Sequence, residues 1–254
     1  MTRGRPRSAA DEESFDHWSR LHGGLDPRGS VWVRGWVRLT HAGARPLARW
    51  GVHPDAVTLA AVVLTAAVPL LAGLGALWPL VAVVPMVVAA VLDGVDGALA
   101  ARTGTDSAWG RVLDGLADRC ADLLLLLTLV VLGAPWWLVA VVAVATLLLE
   151  QARALGQAAG MVGPGAVTVW ERPSRVIVVA FTAAACAAAW AARSVGVDVL
   201  PAVDGAVLAT TGTVVGLALA LVGLAHVVRA VRRALPRGGA GGDTFPGRPG
   251  NTPL

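Results

Sequence analysis

Long apolar stretches alternate with short polar ones from residue 56 to residue 228, and the repeat length matches bilayer thickness. Runs of about 18 or more apolar residues are long enough to cross a membrane as helices. The pattern predicts six spans, at 56–75, 78–101, 109–132, 135–159, 174–193 and 204–228. Ahead of them, Val31–Trp50 mixes Trp32, Val33, Trp36, Val37 and Leu39 with Arg34, Arg38, Arg45 and Arg49. Wound as a helix, this segment has an apolar and a basic face, which suits it to lie in the headgroup layer; a charged flank of the first span is the alternative. The expected architecture is all-α, an integral membrane six-helix bundle with an amino-terminal interfacial amphipathic helix. Residues 1–30 read as a polar, poorly ordered amino terminus, 31–50 as the interfacial helix and 51–235 as the six-span domain. The Gly- and Pro-rich stretch 236–254 reads as a disordered tail.

Composition supports this class. Of the 254 residues, 56% are hydrophobic and only 15% charged, against roughly 25% charged in soluble domains. The sequence pI near 10.7 invites a nucleic-acid partner, but the Arg residues are scattered at helix ends and form no block, so no nucleic acid is expected. They mark orientation instead. Arg28, Arg34, Arg38, Arg45 and Arg49 precede the first span, Arg102 and Arg111 flank the second connection, and Arg153, Arg172 and Arg175 flank the fourth. Arg229, Arg232, Arg233 and Arg237 follow the last span, whereas Leu71–Leu77 and Gly133–Ala134 carry no charge. This alternation predicts a multi-pass protein of the cell (plasma) membrane with both termini cytoplasmic. Trp78, Trp136, Trp137 and Trp190 are then expected at the outer interface, and Trp50, Trp109 and Trp170 at the inner one. Cys120 and Cys186 fall inside spans and read as buried small apolar residues. Met1–His22 has no apolar core, so no cleavable signal peptide is expected.

Four aspartates interrupt the apolar pattern. Asp93 and Asp96 end the second span, and Asp114 and Asp118 begin the third. An ionised carboxylate at mid-bilayer costs roughly 3 kcal/mol even on a lenient scale, so four of them call for bound positive charge. The polar turn Thr103–Ser107 makes the two spans an antiparallel hairpin. Counted outward from that turn, Asp93 lies as deep as Asp118, and Asp96 as deep as Asp114. Spacings of three and four put each pair on one helix face. The expected result is an oxygen-rich cage for Mg²⁺, Mn²⁺ or Ca²⁺; with no His or Cys nearby, zinc is not expected. Packing glycines with capping and snorkelling acids is the bland alternative. Asp122, one turn deeper, is expected to pair with Arg119.

Here the chain resembles a known family. Asp93-Gly-Val-Asp96-Gly97-Ala-Leu-Ala100, followed by Gly110, Asp114 and Asp118, is similar to the signature of the CDP-alcohol phosphatidyltransferase family. Every fixed position matches but one: the signature's Arg falls on Ala101, and Arg102 stands one residue later. His53-Pro54-Asp55-Ala56-Val57-Thr58 resembles the element that opens the family's first span. Glu171-Arg172-Pro173-Ser174-Arg175 resembles an element found in branches whose acceptor is a phosphorylated alcohol. The resemblance implies six helices around a cytoplasmic cavity, and metal-dependent transfer of a phosphatidyl group from a CDP-linked lipid donor to a small alcohol, with CMP released. It implies Asp93, Asp96, Asp114 and Asp118 as metal ligands, with Asp118 also the catalytic base, and two Mg²⁺ or Mn²⁺ ions. Thr58, Gly97, Ala100 and Arg102 would bind the CDP donor. Arg153, Arg172 and Arg175 would take the acceptor's phosphate, as on inositol phosphate or glycerol phosphate, although positive-inside orientation alone also puts Arg there. A homodimer and contact with membrane lipid are further expectations.

Two other readings stay open at this point: an intramembrane cation or proton transporter built on the aspartates, and an inactive family member, which the Ala101 departure would suit.

Overall fold

The computed structural model describes residues 26–163, 165–197 and 204–235; the expectations for 1–25 and for the tail 236–254 lie outside the described residues. Among these there are seven long α-helices, one short one and a 3-10 turn at Pro27–Gly29, with no strand. They are α1 (Val31–Arg49), α2 (Pro54–Ala72), α3 (Trp78–Val81), α4 (Val83–Thr103), α5 (Ala108–Val131), α6 (Trp136–Ala158), α7 (Arg172–Ser194) and α8 (Gly205–Ala234).

The helix ends follow local chemistry. Ser30, Ser107 and Asp204 each accept a hydrogen bond from a backbone N–H in the first turn that follows, starting α1, α5 and α8. Pro54 and Pro173 occupy first-turn positions, where a missing N–H costs nothing. The second span is a broken helix. Pro85 has no N–H to offer the carbonyl of Val81, and the chain turns at Ala82 between α3 and α4. The last helix runs six residues beyond its expected end at 228, carrying Arg229, Arg232 and Arg233 with it.

Five helical segments are long and apolar enough to cross a membrane: α2, α3 with α4, α6, α7 and α8. The exception, α5, has 24 residues but carries Arg111, Asp114, Asp118, Arg119 and Asp122. Large apolar side chains point outward, with Val63 69%, Leu70 73% and Phe181 74% exposed. An apolar exterior on apolar helices is the arrangement of a multi-pass membrane protein.

Two of the expected interior and interface assignments change. Trp170 is no interfacial anchor: it is fully buried, and its indole N–H donates to Thr146 Oγ1 at 2.8 Å, whereas Trp50, Trp109 and Trp136 are well exposed. Cys186 is buried as expected, but Cys120 is exposed on the outer side of α5.

Helix α2 packs most extensively on α4 and α5, α6 packs on α8, and α7 touches α4, α5 and α8. The larger core runs from Val68 and Met86 through Leu125 and Leu129 to Val142, Val179 and Ala220. A smaller one gathers Ala44, Val57, Val95 and Leu99 where α1 lies against α4. That contact is close. A Cβ on Gly94 would stand 2.6 Å from Thr40 Cγ2 and 3.2 Å from the Trp36 ring. Gly94→Ala is therefore expected to push α1 off the helix that bears Asp93 and Asp96. A loss of about 1–3 kcal/mol, the usual cost of overpacking, should appear as a lower thermal unfolding midpoint in detergent.

Candidate active site

The α4–α5 turn sets the site. Gly104 closes α4 with φ 66°, a left-handed conformation that glycine adopts without strain. Thr103 Oγ1 donates back to Leu99 O at 2.8 Å, and Ser107 Oγ accepts from Gly110 N at 2.8 Å to begin α5. So tight a turn keeps the two helices antiparallel and brings their acids face to face. Carboxylate oxygens of Asp93, Asp114 and Asp118 all lie within 4.8 Å of one another. Asp96 stands apart from this trio. It is 5% exposed, accepts from Thr58 Oγ1 at 2.6 Å and from Gly97 N at 2.7 Å, and so ties α2 to α4.

These residues fit a hard divalent cation. Three oxygen donors from three separate carboxylates converge, with no nitrogen or sulfur ligand among them. The trio already attracts positive charge: Arg172 Nη1 lies 2.6 Å from Asp93 Oδ1 and is also paired with Asp118 Oδ1.

Beside the acids a cavity of about 160 Å³ opens between α2, α4 and α5. Thr58, Gly97 and Ala100 line it, together with Asp93, Asp96 and Asp114. A Cβ on Gly97 would meet no protein atom within 4 Å, so this glycine leaves room for a ligand rather than for a neighbouring helix. Arg102, expected in the same group, is exposed and does not line the cavity. Ala100 faces the cavity, and two residues at 100° each carry Arg102 some 200° round the helix.

The expected acceptor arginines divide. Arg172 sits on the acid trio. Arg153 lies one layer away, donating to Glu171 at 2.8 Å, to Glu150 at 3.2 Å and to the carbonyl of Ala166 at 3.3 Å. Arg175 is 1% exposed, and both its terminal nitrogens are engaged: it donates to Asp122 at 2.6 Å, to Glu150 at 2.7 Å and to the carbonyl of Trp170 at 3.0 Å. Asp122 therefore pairs first with Arg175, while its expected partner Arg119 lies at 3.7 Å. Helical spacing suggested the local partner; the buried one comes from 53 residues away.

Sequence reasoning noted Glu150 only as an acid that could continue an ion path and gave it no partner. It joins Arg119, Arg153 and Arg175, from three different helices, in one network. Its signal was its isolation as the sole acid in the long apolar run of α6. Glu171 was quoted only as part of a motif, yet it holds both Arg153 and the backbone of Thr168.

Residues 51–231 match the CDP-alcohol phosphatidyltransferase family, and the chain belongs to that family. Among its relatives, the phosphatidylinositol phosphate synthase of Mycobacterium marinum (strain ATCC BAA-535 / M) is 34% identical over 156 residues. That match spans 56% of this chain and 63% of the relative, less than two thirds of its length. Two crystal structures of the Mycobacterium tuberculosis phosphatidylinositol phosphate synthase share the fold. The one with CDP-DAG bound aligns with a TM-score of 0.59 at 23% identity, covering 80% of this chain and 99% of that one. The other, in complex with manganese and citrate, aligns with a TM-score of 0.58 at 23% identity, over 80% of this chain and 96% of that one.

Breaking a buried ion pair by removing one partner costs roughly 3–5 kcal/mol. Arg175→Met should lower the unfolding midpoint in detergent sharply, and Asp122→Asn in the same chain should recover part of the loss. An unchanged midpoint would show that the Arg175 network does not hold α7 to α5 and α6.

Proposed function

We propose that this protein transfers a phosphatidyl group from a CDP-linked lipid, CDP-diacylglycerol, to a small phosphorylated alcohol and releases CMP, in phospholipid biosynthesis. The observation that carries this reading is the convergence of Asp93, Asp114 and Asp118 within 4.8 Å, in the hairpin that bears the family signature and beside a cavity that includes Gly97. Inositol phosphate is the acceptor of choice, supported by the name of the 34% identical relative.

In this reading Asp93, Asp96, Asp114 and Asp118 hold two divalent ions, Mg²⁺ or Mn²⁺; manganese in a structure of the same fold supports the class of ion. A cation bound there neutralises the pyrophosphate and lowers the pKa of a nearby hydroxyl. Thr58, Gly97 and Ala100 hold the cytidine phosphate end of the donor. The acceptor hydroxyl oxygen bonds to the lipid-side phosphorus, the pyrophosphate P–O bond breaks, and CMP leaves with the bonding electrons. Asp118 takes the hydroxyl proton. Arg172, held only by acids at the cavity edge, exchanges them for the acceptor's phosphate, with Arg153 as second donor. Arg175 supports both from beneath, since its own hydrogen bonds are spent on Asp122 and Glu150.

The domain spans 51–235 and crosses the plasma membrane six times with both termini cytoplasmic. Helix α5 crosses with its deeper charges, Asp118, Arg119 and Asp122, paired to α6 and α7, and α1 lies along the cytoplasmic headgroups. A homodimer is the expected assembly.

The test is CMP release by purified protein given CDP-diacylglycerol and Mg²⁺ or Mn²⁺, with inositol phosphate, glycerol phosphate, serine or no acceptor. CMP should form with inositol phosphate and be lost with EDTA. Asp118→Asn should cut turnover by about a hundredfold or more, on the scale of general-base catalysis, with the unfolding midpoint kept. Substantial residual activity would remove Asp118 as the base, and cation flux without CMP would point to transport.

A further inference from the structure

The family signature places an arginine where this chain has Ala101. The neighbouring Arg102 does not line the cavity. The facing helix offers another. Arg111 follows Gly110 at the start of α5, and Gly110, Arg111 and Asp114 line the same cavity as Gly97 and Ala100. Spacings of three and four bring these residues onto one face of α5.

Electrostatics gives that position its weight. The other ionisable side chains around the cavity are Asp55, Asp93, Asp96, Asp106 and Asp114, so among the described residues Arg111 is its only cationic lining residue. Asp93 pairs with Arg172, which does not line the cavity, and Asp55 lies 3.6 Å from His53, while Asp96, Asp106 and Asp114 make no ion pair among the described residues. The divalent ions proposed above would answer Asp93, Asp96 and Asp114; Asp55 and Asp106 remain on the wall, and a diphosphate beside them is favoured by a cation on the same wall. A guanidinium suits this task, since its planar fork bonds two phosphate oxygens at once. Arg111 is exposed and makes no side-chain ion pair among the described residues, so no existing bond has to break before it takes an anion.

We propose that Arg111 binds the donor's diphosphate, supplying from α5 the positive charge that the signature supplies from α4 at the position of Ala101. The site is the same; the helix that serves it has changed. The proposal rests on the donor being CDP-linked, as argued above.

The experiment is equilibrium binding of radiolabelled CDP-diacylglycerol to the full chain in nanodiscs with Mn²⁺, alongside steady-state KM values for donor and acceptor. Losing one charge-assisted contact, Arg111→Ala should weaken donor binding by about tenfold or more. It should raise the donor KM to match and leave the acceptor KM and the unfolding midpoint in place. Arg111→Lys, which keeps the charge without the fork, should lose less. The decisive arm is Ala101→Arg combined with Arg111→Ala, which should regain most of the lost affinity. The proposal is overturned if Arg111→Ala binds donor like the parent, if Arg102→Ala weakens it equally, or if the combined variant regains nothing. Parent protein that binds no CDP-diacylglycerol would instead overturn the donor assignment and this proposal with it, which separates the two failures.

Discussion

Negative charge carried into an apolar bundle has to be met by positive charge from another helix, and α7 supplies it twice. Arg172, at its first position, reaches Asp93 on α4 and Asp118 on α5. One turn further in, Arg175 reaches Asp122 on α5 and Glu150 on α6. These pairs join the α4–α5 hairpin to the α6–α8 side at the depth of the acids. They are strong where they are because burial removes the competing water, and for the same reason neither partner can be left alone. The acid trio thus has its geometry set by three helices, although only two of them carry its ligands.

The same constraint separates the outer arginines from the inner one. A guanidinium whose two terminal nitrogens are both bonded to buried partners, as in Arg175, holds helices in place. One that answers acids only at the cavity edge, as Arg172 does, has a partner it can trade. Glu150 bonds the buried Arg175 together with the less buried Arg119 and Arg153. Moving this one carboxylate would disturb Arg119, Arg153 and Arg175 together.

Much of this was legible in the sequence, and the limits have physical causes. Hydrophobic period and turn spacing located the long helices within a few residues, because lipid on one side and a neighbour on the other leave little choice. Equal depth of Asp93 with Asp118 followed from counting outward from the turn. Long-range partners did not follow. Asp122 has an arginine three residues away, but its stronger bond comes from a helix that spacing cannot see. Trp170 reads like any aromatic at a helix end, and only the tertiary position of Thr146 takes it into the core. The glycines were equally ambiguous: Gly94 admits Thr40 and Trp36, while Gly97 admits nothing from the protein. A helix contact and a ligand cavity ask for the same residue, so only their surroundings tell them apart.

Arg111 shows how a site can keep its chemistry while its sequence signature lapses. A motif fixes residues by number along one helix, whereas a ligand meets them by position in space. Across an antiparallel hairpin, one cavity is lined by the carboxyl end of α4 and the amino end of α5, so a charge lost from one wall has a place waiting on the other. Gly110 helps provide that place, since the absence of a side chain before Arg111 keeps the wall open beside Ser107 and Asp55. The acids differ: Asp93, Asp114 and Asp118 bring carboxylate oxygens within 4.8 Å of one another, a convergence that depends on their exact places in the hairpin. A diphosphate is a larger and more diffuse target that a long guanidinium stem can reach from either side. This chain accordingly departs from the signature at Ala101 while Asp93, Asp96, Asp114 and Asp118 are all present.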